Sequence, residues 1–204
     1  MDSLNLASYL IFFVTVIVSL IGIYSRNGLL NWGVLHPYSF VHHKKYYMII
    51  TSGFLHADMM HLMFNMLTFF FFAFQLEIMI GSFNFFFLYF ASLIISNIST
   101  IIKNKNNYAY RSVGASGAIS GVLFSYIILN PSAKIAIIFF PIGIPAPIFG
   151  VLYLAYCWWA AKKSQDFINH EAHFWGALAG VIITILLIPN SIEFFLKSLE
   201  YFYI

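Results

Sequence analysis

Six stretches of this chain are apolar for long enough to cross a membrane, and that restricts its fold more than any other feature. A helix needs about 20 mostly apolar residues to cross the hydrocarbon of a bilayer. The stretches fall at 4–24, 57–80, 83–102, 113–130, 148–161 and 172–188. Their apolar residues run on without alternating, so they read as helices and not as strands of a barrel. The expected fold is all-α: a polytopic membrane helix bundle with six transmembrane helices. Of the 204 residues, 61% are hydrophobic and 8% charged, where a soluble domain carries about a quarter charged. Too little polar surface remains to cover a soluble globule. This excludes a soluble enzyme, a disordered chain and a nucleic-acid binder, and makes the lipid bilayer a partner.

The spans are read as a single membrane domain over 1–204. No Lys or Arg precedes the first stretch, which is also longer than a signal-peptide core, so it is expected to stay as a span. The apolar segment 135–147 is interrupted by Pro141, Gly143, Pro145 and Pro147. It is expected to be a non-helical connection lying against protein, because lipid cannot satisfy unpaired backbone groups. Residues 190–204 read as an interfacial amphipathic helix. Cys157 is the sole cysteine, which rules out an intrachain disulfide.

Even-numbered spans all start on the side of loops one, three and five. His56, His61 and Asn65 lie at the start of the second span, Ser116 near the start of the fourth, and His170, Glu171 and His173 at the start of the sixth. The unusual polar groups therefore gather at one depth in one leaflet. Such groups are costly inside a bilayer and usually mark function.

Gly114-Ala115-Ser116-Gly117 puts a serine at a helix start, where backbone N–H groups lack intrahelical partners and can hold an oxyanion. Gly117 and Gly121 also form a GxxxG packing motif, so packing and catalysis are both open readings of this segment. A serine nucleophile needs a base. His173 is followed by a second small-residue pair, Gly176 and Gly180. If the two glycine faces pack, Ser116 and His173 come to one contact line. Glu171 points about 200° round the helix from His173 and does not suit a triad, which leaves a Ser–His dyad. His61 and Asn65, at i and i+4, share a helix face and can complete an oxyanion hole or serve as polar contacts between helices. His56 points elsewhere and braces the loop. His170 and His173 fall one residue short of the H-E-x-x-H zinc spacing, and a metal would leave Ser116 unexplained, so no metal and no cofactor is expected. Glu77, at the far end of the second span, reads as a structural acid.

With these motifs in hand, the chain resembles the rhomboid intramembrane serine proteases. The matching residues are Gly114-Ala115-Ser116-Gly117, His56 with His61 and Asn65, Glu77 with Gly81, His173 with Gly176 and Gly180, and the proline-rich run Phe140 to Pro145. The likeness covers about 25–190, a six-span bacterial core, with 190–204 as a tail. It implies a serine endopeptidase that cleaves transmembrane segments of membrane proteins. Ser116 would be its nucleophile and His173 its general base, with His61, Asn65 and the Ser116 N–H as oxyanion hole. His56 and the glycines 114, 117, 176 and 180 would support the site. Two departures stand out: Trp32 is followed by Gly33 where the family commonly has Trp-Arg, and Ser120 stands where it commonly has an aromatic.

The resemblance implies a bacterial plasma membrane with the site towards the outer leaflet. The charges point the other way. Arg26, Lys44, Lys45, Lys103, Lys105, Arg111, Lys162 and Lys163 lie on the active-site side, eight against two, Lys134 and Lys197, and cytoplasmic loops normally carry that excess. The rival reading is a rhomboid-like pseudoprotease that binds or escorts membrane clients. A transporter would need repeated halves with broken helices, which the chain lacks.

Overall fold

The computed structural model describes residues 5–24, 28–137, 140–164, 166 and 168–200. Leu4, Arg26, residues 201–204 of the expected tail, and the side chains of Phe140 and Pro141 lie outside the described residues.

Helix α1 (Leu6–Tyr24) is turned inside out relative to a soluble helix. Ala7, Ser8, Ile11, Thr15, Ser19 and Gly22 recur every three or four residues and are buried, while Leu10, Phe13, Ile17 and Ile21 are exposed. Small side chains allow close helix approach in lipid, and bulky ones meet the acyl chains. The first loop folds into α2 (Leu29–Gly33), α3 (Pro37–His42) and α4 (Met48–Thr51), then a 3₁₀ turn, Ser52–Phe54. Antiparallel bridging of Leu35 to Ser112 fastens it to the third loop.

Helix α5 (Met59–Ile80) starts where Asp58 caps it by accepting from the His61 N–H. It stops at Gly81, whose φ of 79° lets α6 (Ser82–Asn104) turn back at once. Helix α7 (Ser116–Leu129) is the centre of the bundle: every residue from Gly117 to Ile128 is buried. Strands β1 (Lys134–Ile137) and β2 (Phe140–Pro145) occupy the expected non-helical segment as an antiparallel hairpin, with Ile135 opposite Ile144. Hydrogen bonding between the strands satisfies the backbone that proline and glycine keep out of a helix, and Ile135 packs with Leu123, Phe124 and Ile127. Helix α8 (Ala146–Lys163) tolerates Pro147 in its first turn, where no N–H partner is lost. Helix α9 (His170–Leu187) precedes Pro189, and the amphipathic α10 (Ser191–Glu200) follows.

The six expected spans thus correspond to α1, α5, α6, α7, α8 and α9. Four of them, α1, α5, α6 and α9, are long and apolar enough to cross a bilayer on those grounds alone. Helix α7 has only 14 residues and reaches about 21 Å, short of a hydrocarbon core of about 30 Å.

Glu77 joins three helices at the end opposite Ser116. It is 2% exposed. Its carboxylate accepts from the N–H groups of Ala7 at 3.0 Å and Ser8 at 2.7 Å, the free donors of the α1 start, and from the hydroxyls of Ser8 and Ser82. A negative charge at a helix N-terminus is favourable. Glu77→Ala leaves those buried donors unpaired and is expected to cost about 3 kcal/mol, read as a lowered unfolding temperature in detergent. Glu77→Gln, which keeps an acceptor oxygen, should lose less; equal losses would contradict this role.

Candidate active site

Ser116 is the first residue of α7 and is half-buried. The residue before it, Ala115, supplies no side-chain cap, so the N–H groups of the first turn stay free of intrahelical partners. Gly114 is required twice over. Its φ is +122°, and a Cβ there would lie 2.8 Å from both Cε1 and Nε2 of His61. The imidazole of His61 therefore stands against the backbone just ahead of the serine.

Helices α7 and α9 run parallel along a seam of glycines. A Cβ on Gly176 would fall 2.0 Å from the Gly117 carbonyl oxygen, and one on Gly180 would fall 2.2 Å from that of Gly121. On its other flank α7 meets α6, where Cβ atoms on Gly117 and Gly121 would strike Ser96 and Ser92. The expected pairing of the glycine faces is therefore present. It brings the turn that starts with Ser116 level with the turn that holds His173. Among the described residues no hydrogen bond joins Ser116 to His173; the Ser116 carbonyl accepts from the Ser120 hydroxyl. Asn169 anchors this end of α9. Its side chain accepts from the Ala172 N–H at 3.1 Å and donates to Thr100 at 2.8 Å.

His56 is fully buried. Its Nε2 accepts from the Ala115 N–H at 3.5 Å, which leaves the proton on Nδ1 to be donated to Ser19 Oγ at 2.8 Å. The Ser19 hydroxyl donates onward to the Phe54 carbonyl at 2.9 Å. This chain of bonds ties the loop ahead of Ser116 to α1. The His56 and His61 rings meet edge to face at 4.8 Å. The Asn65 amide donates to the His61 carbonyl of its own helix at 3.0 Å, so one of its two N–H groups remains for a ligand.

Burial, with the neighbouring His61 adding to it, pushes the His56 imidazole down from 6.5 to about 3. Between those values the unfolded chain binds a proton that the native chain refuses, so stability falls as pH drops through that window. The loss approaches about 1.4 kcal/mol per pH unit. Wild-type protein should lose more unfolding temperature between pH 7 and pH 5 than His56→Gln does. Equal losses would remove His56 as the cause.

Ser120, at the position that lacks an aromatic, bonds the Tyr153 hydroxyl at 2.8 Å, and the Tyr153 ring packs on Phe124 and Phe149. An aromatic ring thus reaches this position from α8. Gly33, where an arginine was looked for, lies against Leu55, and a Cβ there would come within 2.6 Å of it. Glu171 forms an ion pair with Lys103, consistent with its exclusion from a triad. Sequence reasoning missed Ser19, Asn169 and Tyr153. Only Asn169 left a signal, as a capping residue just ahead of an apolar run.

A family model described as the Rhomboid domain matches residues 43–190. The chain is 34% identical over 139 residues to Rhomboid protein 1, mitochondrial, of Saccharomyces cerevisiae, covering 66% of this chain and 40% of that protein. It is 40% identical over 85 residues to the Putative rhomboid protease YdcA of Bacillus subtilis, 42% of each chain. Over 139 residues it is 29% identical to Presenilin-associated rhomboid-like protein A, mitochondrial, of Danio rerio, 65% of this chain and 35% of that one. The chain spans about two fifths of the length of these relatives.

Proposed function

The chain belongs to the rhomboid family, and from that membership we propose that it is an intramembrane serine endopeptidase acting through a Ser116–His173 dyad. The observation that carries this reading is the glycine seam, in which Gly176 meets the Gly117 backbone directly. A close approach of this kind has an obvious use where a serine and a histidine one turn away must meet.

A helical substrate hides its carbonyl carbons, so the transmembrane segment unwinds near the scissile bond, which small and helix-breaking residues make easier. Neutral His173 takes the Ser116 proton as Oγ attacks the carbonyl carbon. The tetrahedral oxyanion is held by free N–H groups of the α7 start, the remaining Asn65 N–H and His61. His173 then protonates the leaving amine, the C–N bond breaks, and water hydrolyses the acyl-enzyme. Catalytic hydrogen bonds often tighten only when substrate is bound. The Ser116–His173 bond is expected to close at that stage.

The protein is integral to a membrane, as its apolar helices require. The bacterial plasma membrane and outward-facing site remain part of the proposal, beside relatives of which two carry mitochondrial names. The family also admits a binding role without cleavage, and retention of both Ser116 and His173 favours the enzyme. The test is reconstitution with a transmembrane substrate carrying a small, helix-breaking site. A new N-terminus inside the span is the expected product. Substrate that co-purifies intact under all conditions would turn the reading to the escort.

A further inference from the structure

Around the proposed base His173 gather two further chemically active side chains, Cys157 and His170, that the dyad does not use. One ligand atom each of Cys157 on α8, and of His170 and His173 on α9, lies within 4.8 Å of the other two. Cys157 is 1% exposed and free. His170 is 4% exposed, and its Nδ1 is buried with no hydrogen-bond partner. A buried polar atom left unpaired is costly, so it asks for an explanation.

The other nitrogen of His170 supplies one. Nε2 faces the Asp166 carboxylate, 3.1 Å and 3.0 Å from its two oxygens. A carboxylate there holds the proton on Nε2 and leaves a lone pair on Nδ1. Metal-binding histidines are oriented in this way, with the far ring nitrogen donating to a carboxylate. Asp166 sits in the loop before α9, where its carboxylate also accepts from the Ser164 hydroxyl at 2.6 Å and from the Ile168 N–H at 3.0 Å. His170 also borders a cavity of about 150 Å³, shared with Asn104, Tyr110, Ser164, Asn169 and Glu171.

We propose that Cys157, His170 and His173 form a binding site for Zn²⁺ that switches the protease off. One sulfur and two imidazole nitrogens are the donor set of a tetrahedral zinc site with one open position. As the Zn–S bond forms, the Cys157 thiol proton is released to water. A neutral imidazole has one lone pair. Once zinc holds the lone pair of His173, none remains to take the Ser116 proton, whichever ring nitrogen coordinates. The inhibitory half of this proposal rests on His173 being the base; the binding half does not.

The test separates the two. Co²⁺ is titrated into the full chain carrying Ser116→Ala, with absorbance as the readout. A sulfur-to-cobalt charge-transfer band and tetrahedral d–d bands are expected, displaced by Zn²⁺. Both should be absent in the same chain with Cys157→Ser added, and the d–d bands should be weakened or moved with His170→Ala. In the active protein, Zn²⁺ at a saturating concentration should lower cleavage at least tenfold, EDTA should restore it, and Cys157→Ser should cleave normally and resist. No thiolate band in the Ser116→Ala protein, or equal bands with and without Cys157, would overturn the site. Zinc bound through Cys157 with cleavage unchanged would overturn the switch.

Discussion

Replacing Ser116 by alanine, or His173 by alanine, is expected to lower cleavage of a reconstituted transmembrane substrate by about 10⁴-fold or more, and replacing both should cost little beyond either one. The two side chains perform one proton transfer, so losing either stops it. Without Oγ there is nothing to acylate. Without the imidazole the hydroxyl keeps its proton and the leaving amine receives none. Folding should be preserved in Ser116→Ala, since Ser116 is only half-buried and its hydrogen bond with Ser120 uses its backbone carbonyl. Substrate binding should survive too, so the variant ought to hold uncleaved substrate. Cleavage undiminished in both single variants would end the dyad, and a full loss in one beside no loss in the other would assign the chemistry differently.

The second large effect comes from a single methyl group. Gly176→Ala places a Cβ about where the Gly117 carbonyl oxygen now sits, 2.0 Å away. That neighbour is backbone and cannot rotate aside, so α9 must move from α7. Overpacking of this sort costs about 3 kcal/mol, and a shift of about 1 Å at reacting groups costs about 10²-fold in rate. Both unfolding temperature and cleavage should fall. Gly150→Ala on α8 is the matched control: its Cβ would meet only Ile127 and Phe124 at 3.5 Å, and alanine is the better helix former by about 1 kcal/mol. It should be neutral or slightly stabilising. Gly176→Ala with full activity would mean that the seam does not set the geometry of the site.

Much of this arrangement could be read from the chain because membrane helices announce themselves by apolar length, and because glycine pairs four apart have few other uses there. The packing of the glycine face of α7 on that of α9 was legible on those grounds. Helices α2, α3 and α4 were not, since four to six residues carry no periodicity to detect. The β-hairpin was foreseen only as non-helical, because Pro141, Gly143 and Pro145 say what the backbone avoids and not what it pairs with. The starts of α5 and α9 each lie two residues from where apolar length puts them, although Asp58 and Asn169 are ordinary caps that mark them. The meeting of Cys157 with His170 and His173 had no sequence signature, since it depends on how α8 leans on α9. The donation of Asn65 to its own helix was hidden as well: sharing a face with His61 fixes direction but not the bond made.

A fluorophosphonate reacts only with a serine whose hydroxyl is exposed to water and activated by a neighbouring base. Its covalent capture, followed by intact-mass and peptide-mass measurement of the reconstituted protein, therefore probes the proposed dyad most directly. One adduct per chain on Ser116 is expected, lost when the protein is heated first or carries His173→Ala. A chain that takes up no label, or takes it up equally without His173, would contradict the account.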